Sequence, residues 1–323
     1  MPQKLKENYF IFNLSLYLQL KINILNVQVT LTLCKLDAKI KVMLIIIESG
    51  STKADWLIIE GENRVQHFTM GFNPFFHSSG FIEDTLINDP FLKEYFQKKV
   101  EIYFYGAGCS SDKLNKSVKD GFLRVFKQAS VSVNHDLYAA GLSLYRKKDV
   151  IACILGTGSN SVYFDGKNLS EEVPALGYIL GDEGSGSFFG KQILTDFLYR
   201  KLPKELHSEL VSMQLNKDEI FKKIYMEANA NVFLASMSPV LIKYKHLDYC
   251  QKLIKHGLNL FINRHVLCYA NCREVEISFV GSISALLSEE LEQICKKNGL
   301  TVGQIIRRPI DSLADYHLNK VFS

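Results

Sequence analysis

The sequence predicts an α/β fold built as two like domains that face each other across a cleft. Two stretches, 43–60 and 150–164, open alike: an apolar strand, a turn of small residues and a return strand. Each is followed by alternating helical and strand-like segments, so the duplication is one of structural pattern rather than of letters. The 323-residue length suits about two domains of roughly 150 residues each.

The first unit opens at residues 43–48 (MLIIIE), a continuous apolar run of the kind a doubly buried strand carries. Gly50-Ser51-Thr52-Lys53 predicts a turn, 56–60 a return strand, Gly61-Glu62-Asn63 a second turn and 64–70 a third strand. Helical pattern follows over 77–98, a strand over 100–105, a helix over 111–128, a short strand over 129–134 and a helix over 136–146. The second unit begins with the strand 150–155, the turn Gly156-Thr157-Gly158-Ser159-Asn160 and the return strand 161–164. A long helical stretch is predicted over 185–270, with an inserted part at about 190–270. A strand at 275–280, a helix to about 297, a strand near 301–307 and a helix near 311–321 complete the unit. The expected division is an extension at 1–42, a first domain at 43–146 and a second at 147–323.

Composition narrows the function classes. Hydrophobic residues make up 47% and charged residues 22%, ordinary for a globular chain, and the net charge is +4. Lys147-Lys148 and Lys296-Lys297 are short, interrupted runs that read as solvated faces, not as a nucleic-acid footprint. Seven scattered cysteines, an odd number, predict reduced thiols and a cytoplasmic location. Cys268 and Cys272 are four apart, as on one helix face, with His265 the nearest further ligand type; that set is too small for a zinc or iron–sulfur centre. Residues 10–34 are apolar but broken by Asn, Gln and Lys21, which falls short of a membrane span, and no small-residue cleavage site follows. Met43 is expected to be the start of the native chain, with 1–42 either an unstructured tail or not made.

Four segments carry candidate chemistry. Glu48 ends a buried strand and leads into Ser49-Gly50-Ser51-Thr52-Lys53, where small residues let backbone N–H groups approach an anion. The spacing is not that of a Walker A loop, and alone the segment also reads as a plain hairpin. Residues 156–160 occupy the equivalent place in the second unit, so the pair together suits a polyphosphate held from both sides. Asp136, in Asn134-His135-Asp136, reads either as a helix cap or as a base aimed at the cleft. Asp182-Glu183, flanked by Gly181 and Gly184, reads as a cap or as a site of close backbone approach to a ligand; Asn73 is a turn residue in Gly71-Phe72-Asn73-Pro74.

Taken in order, S-G-S-T-K at 49–53, G-F-N-P at 71–74, N-H-D-x-x-A-A at 134–140, G-T-G-S-N at 156–160, L-G-x-x-L-G-D-E-G-S at 176–185 and V-G-S-I at 280–283 resemble the N-acetylglucosamine kinase and BadF/BadG-type ATPase family. That family has the actin/hexokinase/Hsp70 fold, two ribonuclease-H-like domains around an interdomain cleft. The resemblance implies that Ser51, Thr52 and Lys53 form one ATP-phosphate hairpin and Gly156, Thr157 and Gly158 the other, with Gly281, Ser282 and Ala285 on the adenosine side. It implies a sugar pocket of Asn73, Asp136, Ser159, Asn160, Gly177 and Asp182, with Asp136 as general base toward the 6-OH of an amino sugar, N-acetylglucosamine first among them. Glu48 stands where the family usually has Asp holding Mg²⁺ through water, and Leu176 stands where some animal relatives carry a Trp against the sugar. Relatives are often homodimers. Two other readings follow from the same resemblance: a BadF-type ATPase activator, whose iron–sulfur cysteines Cys268 and Cys272 do not match, and a catalytically weakened sugar sensor, which Glu48 favours.

Overall fold

A computed structural model describes residues 21, 43–50 and 53–322. The predicted extension 1–42, apart from Lys21, and the predicted phosphate-hairpin residues Ser51 and Thr52 lie outside the described residues.

The first sheet contains β1 (Met43–Ser49), β2 (Lys53–Glu60), β3 (Asn63–Met70), β4 (Val100–Gly106) and β5 (Ala129–His135), in the order β3-β2-β1-β4-β5. The second contains β6 (Val150–Leu155), β7 (Ser159–Phe164), β8 (Leu169–Ser170), β9 (Glu276–Val280) and β10 (Thr301–Ile306), in the order β10-β9-β6-β7-β8. Read strand for strand the two orders are the same. β1 and β6 each pair antiparallel with the following strand and parallel with the fourth strand of their sheet. The duplication predicted from the pattern is thus present in topology and in strand direction.

The apolar run of β1 reflects a strand covered on both faces. Ile45 and Ile47 point into a core with Trp56, Ile82, Val118 and Phe122, beneath α1 (Ser79–Ile87) and α2 (Asp112–Val125). Leu44 and Ile46 point the other way, into a core with Leu142, Ile310 and Leu313. That second core joins the halves of the molecule. Helix α3 (Asp136–Leu144) leaves β5 of the first sheet, yet its Leu137, Ala140 and Leu144 lie against Ala152, Val162 and Val280 of the second. The last helix, Ile310–Phe322, leaves β10 of the second sheet and sets Ile310, Leu313 and Ala314 on the first. Each sheet's final helix therefore covers the other sheet, and the chain crosses the predicted 146/147 boundary once more at its end.

The remaining helices are α4 (Gly177–Leu180), α5 (Gly186–Leu198), α6 (Lys204–Ser212), α7 (Lys217–Phe221), α8 (Ala230–Ala235), α9 (Ser238–Lys243), α10 (Asp248–Phe261), α11 (Ser282–Leu286) and α12 (Ser288–Lys297); the C-terminal helix is α13. The long helical stretch expected over 185–270 is a set of short helices with π turns at Lys222–Met226 and Ile262–Val266. They cover Ile151, Cys153 and Leu155 of β6. The helix expected over 77–98 is interrupted around Pro90, which cannot supply an interior N–H, and resumes as a 3₁₀ turn at Leu92–Tyr95. Cys268 and Cys272 fall in turns beyond Val266 and do not share a helix face. Both are free thiols, as are the other four described cysteines. Among the described residues no helix is long and apolar enough to cross a membrane.

Candidate active site

The carboxyl ends of parallel strands, where open α/β sheets bind ligands, bring the first cluster together. Glu48 is the penultimate residue of β1, and cross-strand register sets it opposite Asp55 of β2. Asp55 is buried, and its Oδ1 is 2.7 Å from Nζ of Lys53, which also lies 3.6 Å above the Phe68 ring. Glu48 has its pKa pushed up to about 8, chiefly by burial, then by the charges of Asp55 and Asp136, against the opposing pull of Lys53 and Arg308. Arg308 follows β10, so a group at the end of the second sheet acts on a carboxyl at the end of the first. Sequence reasoning missed both Asp55 and Arg308. An acid inside the apolar run of β2 was the available signal for Asp55; nothing in the local sequence marks Arg308.

The β1–β2 turn is braced from β3's exit. Ser49 Oγ accepts from the backbone N–H of Phe72 at 2.7 Å, and a Cβ on Gly71 would run into the Gly50 carbonyl. Next in line, Asn73 is buried; its Oδ1 accepts from Phe75 N–H at 3.0 Å, and its own N–H donates to His77 Nδ1 at 3.1 Å. The loop after β4 closes over it, since a Cβ on Gly108 (φ +81°) would overlap Asn73 Oδ1.

Asp136 is the first residue of α3, and the cap of that helix is His135, whose Nδ1 accepts from Leu137 N–H at 3.2 Å. The capping alternative for Asp136 is thereby set aside. Its side chain is 26% exposed and its Oδ1 lies 2.9 Å from the same Nδ1. The two contacts need opposite protonation states of that nitrogen: bare to accept from Leu137, protonated to donate to Asp136. Burial works against the charged ring. The hydrogen bond to Asp136, its charge and that of Glu171 outweigh burial and hold the His135 pKa above the ordinary histidine value.

The second cluster assembles around the turn between β6 and β7. Gly156 N–H closes the turn on the Gly158 carbonyl at 3.0 Å, and Ser159 and Asn160 belong to β7 rather than to the turn. Asp182, at φ +57°, accepts from the Ser159 N–H at 3.1 Å and from Ser187 Oγ at 3.4 Å. Burial raises the Asp182 pKa, and those two donors draw it back in part. A Cβ on Gly158 would sit 3.0 Å from both Asp182 carboxylate oxygens, so the bare backbone is what allows the approach. The start of α5 docks here too, through Gly186 N–H to the Gly156 carbonyl at 2.8 Å and Ser187 N–H to the Thr157 carbonyl at 3.0 Å. Gly281, at φ +133°, passes so near the Leu155 carbonyl and Gly156 N that no side chain fits; Ser282 and Ala285 follow in α11. Ser159 Oγ is buried with no hydrogen-bond partner, an open valence in the predicted sugar pocket.

Neither acid of the Asp182-Glu183 pair caps α5; Ser185 does, accepting from Phe188 N–H at 3.2 Å. Glu183 turns inward, 4% exposed, to Arg264 and to His265 Nε2 at 3.3 Å. Burial alone would raise its pKa, but its own backbone N–H, Arg264 and His265 hold it below the usual carboxylate value. His265 is thus engaged with Glu183 rather than with the two cysteines. Gly177, at φ +68°, opens the short helix α4 with no atom near its missing Cβ, and Leu176 is 55% exposed. The structure gathers Glu48, Lys53, Asn73 and Asp136 at the first set of strand ends. Gly156 to Asn160, Asp182 and Gly281 to Ala285 gather at the second, and the exposed Gly177 is tied to the residue before Asp182 through its carbonyl, which accepts from Gly181 N–H at 2.8 Å.

Among the described residues no three His, Cys, Asp or Glu side chains converge closely enough to ligate one metal ion directly. Asp55 and Asp136 nevertheless both repel charge on Glu48 across the strand ends. That pattern fits a cation held at one remove, through water, as Mg²⁺ is commonly held.

No family model matches the chain, and no curated protein matches it either. Solved structures do. One described as "Putative N-acetylglucosamine Kinase" from Porphyromonas gingivalis is 33% identical over 86% of this chain and 99% of its own, with a TM-score of 0.80. Another with the same description, from Chromobacterium violaceum, is 12% identical over 86% of this chain and 99% of its own, with a TM-score of 0.56, a likeness of fold. With that identity spread over nearly the whole of a solved relative, the chain belongs to the N-acetylglucosamine kinase and BadF/BadG-type ATPase family.

Proposed function

We propose that the protein is a sugar kinase that transfers the γ-phosphoryl group of ATP to the 6-OH of an amino sugar, N-acetylglucosamine being the first candidate. The observation that carries the reading is the placement of Asp136. It is 26% exposed at the start of α3, directly after β5, and within electrostatic reach of Glu48, in a chain 33% identical to a structure described as "Putative N-acetylglucosamine Kinase".

Phosphoryl transfer asks an enzyme for positioning and charge neutralisation more than for covalent chemistry. The backbone donors of the two strand-end turns, with Ser51, Thr52 and Lys53 on one side and Gly156, Thr157 and Gly158 on the other, hold the triphosphate; Gly281, Ser282 and Ala285 flank the adenosine. Asn73, Ser159, Asn160, Gly177 and Asp182 orient the sugar, and the unpartnered Ser159 hydroxyl supplies a hydrogen bond to it. Asp136 takes the proton of the attacking hydroxyl. Glu48 and Asp55 would hold Mg²⁺, which when bound would supply neutralisation of phosphate charge. The helices α3 and α13, each rooted in one sheet and seated on the other, are suited to carry a closure that excludes water. Cytoplasmic location and a homodimer complete the reading.

A sugar-sensing relative with weakened catalysis is the second reading. Glu48, one methylene longer than the Asp usual in the family and largely protonated near neutrality, favours it. A coupled ADP-release assay over a panel of amino sugars separates the two. Sugar-stimulated release supports the kinase; sugar binding without release supports the sensor; release indifferent to sugar overturns both.

A further inference from the structure

A cavity of about 550 Å³ opens beside β4 and β5, between α2 on one side and α3 and α13 on the other. None of the strand-end residues assigned to ATP, sugar or Mg²⁺ lines it. On the α2 wall stand Lys116 and Lys119, three residues apart and so on one helix face. Lys119 has no ion pair among the described residues; Lys116 pairs with Asp120 at 2.6 Å, but on an exposed face where such a pair is easily exchanged. Facing them are the phenols of Tyr103, Tyr138 and Tyr316. Tyr103 already donates to Glu101 Oε2 at 3.2 Å, whereas burial keeps Tyr138 protonated above the ordinary tyrosine value as a hydrogen-bond donor. Asp112 is the one acid in the lining. Asn115, beside the lysines, has its Oδ1 shut off from water with no hydrogen-bond partner, an acceptor that a hydroxyl would satisfy.

Two ammonium groups, the phenols of Tyr138 and Tyr316 and an unsatisfied amide acceptor select an anion that also carries hydroxyls. We propose that this cavity is a second ligand site for a phosphate monoester on a hydroxylated ring, with Lys116 and Lys119 on the phosphate and Asn115 and the tyrosines on the ring. An occupant touches the segment that bears Asp136, because Asn134 lines the cavity two residues before it and Tyr138 and Leu142 line it from the same helix. The site stands on its own geometry, whatever reaction the cleft performs.

The test is calorimetric titration of N-acetylglucosamine 6-phosphate into the full chain and into the Lys116→Ala/Lys119→Ala variant. Both lysines lie on an exposed helix face, so the variant is expected to melt where the parent does and to bind a non-hydrolysable ATP analogue as the parent does. The expected result is sugar-phosphate binding at least about tenfold weaker in the variant, the scale of lost charge-assisted contacts. Inorganic phosphate alone is expected to bind the parent more weakly than the sugar phosphate. Equal affinity of parent and variant would place the ligand in the cleft and overturn the proposal, as would no binding to either, or inorganic phosphate binding as tightly as its sugar ester. A chain that fails to phosphorylate sugars but shows the lysine-dependent binding retires the kinase reading and leaves this site standing.

Discussion

Asp136 and His135 share one proton-bearing nitrogen, and that contact sets a pH dependence. While His135 is protonated it donates to Asp136 and blunts it as a base; once neutral, it returns to capping Leu137. Because the His135 pKa is held above its ordinary value, kcat is expected to rise with pH through a limb displaced upward from the ordinary histidine value. His135→Asn keeps a capping side chain and removes the titration, so the limb should vanish in its pH–rate profile. An unchanged limb would assign it elsewhere. Stability carries the matching sign: a raised folded-state pKa means the pair's contribution is present in acid and is lost as pH rises through that value. Asp136→Asn is expected to lower kcat by about 10²–10⁴-fold, the usual worth of a general base, with sugar affinity by calorimetry little changed.

Glu48 makes a second prediction. Its carboxyl titrates near pH 8 in the fold against an ordinary value of 4.5, so its charge costs stability increasingly as pH rises between the two. Without divalent cations, Glu48→Gln should therefore melt higher than the parent at pH 8 and match it below about pH 4.5. The same variant should lose its response to Mg²⁺. A lower melting temperature at pH 8 would mean that the charge is already compensated.

Turns and helices decide whether these side chains meet. Gly281 and Gly71 are held bare by neighbouring carbonyls, Leu155 for the first and Gly50 for the second. Gly281→Ala adds a Cβ at φ +133°, where an L-residue is strained by about 1–3 kcal/mol before the clash is counted. A fall in melting temperature together with weakened nucleotide binding is expected; retention of both would show that the strand end can shift. At this scale the sequence was legible where one period ran unbroken. The apolar run of β1, the third strand and the turn at Gly61 stand close to where they were expected. It was least legible over 190–270, where a single helical period conceals several helix ends and two π turns fixed by packing on β6. Ser159 and Asn160 read as turn residues because polar side chains mimic loop composition; in the fold they are buried strand residues.

Over the whole molecule, the duplicated sheet order was foreshadowed by two matching openings, because each unit must repeat the same hairpin before its parallel strands. The exchange of terminal helices was not legible. Nothing local in α13 records that its apolar face covers β1 rather than its own sheet, and the same is true of Arg308 reaching Glu48. That exchange predicts cooperative unfolding: removing residues 310–322 exposes Leu44, Ile46 and Leu57 on the first sheet, and both halves should lose stability together. Two separated melting transitions in the shortened chain would argue against it. The central claim, transfer of phosphate from ATP to a sugar at Asp136, is tested most directly by following γ-labelled ATP with Mg²⁺ and N-acetylglucosamine. The account predicts label in a sugar 6-phosphate, abolished or nearly so by Asp136→Asn; label released only as inorganic phosphate, at a rate indifferent to sugar, would contradict it.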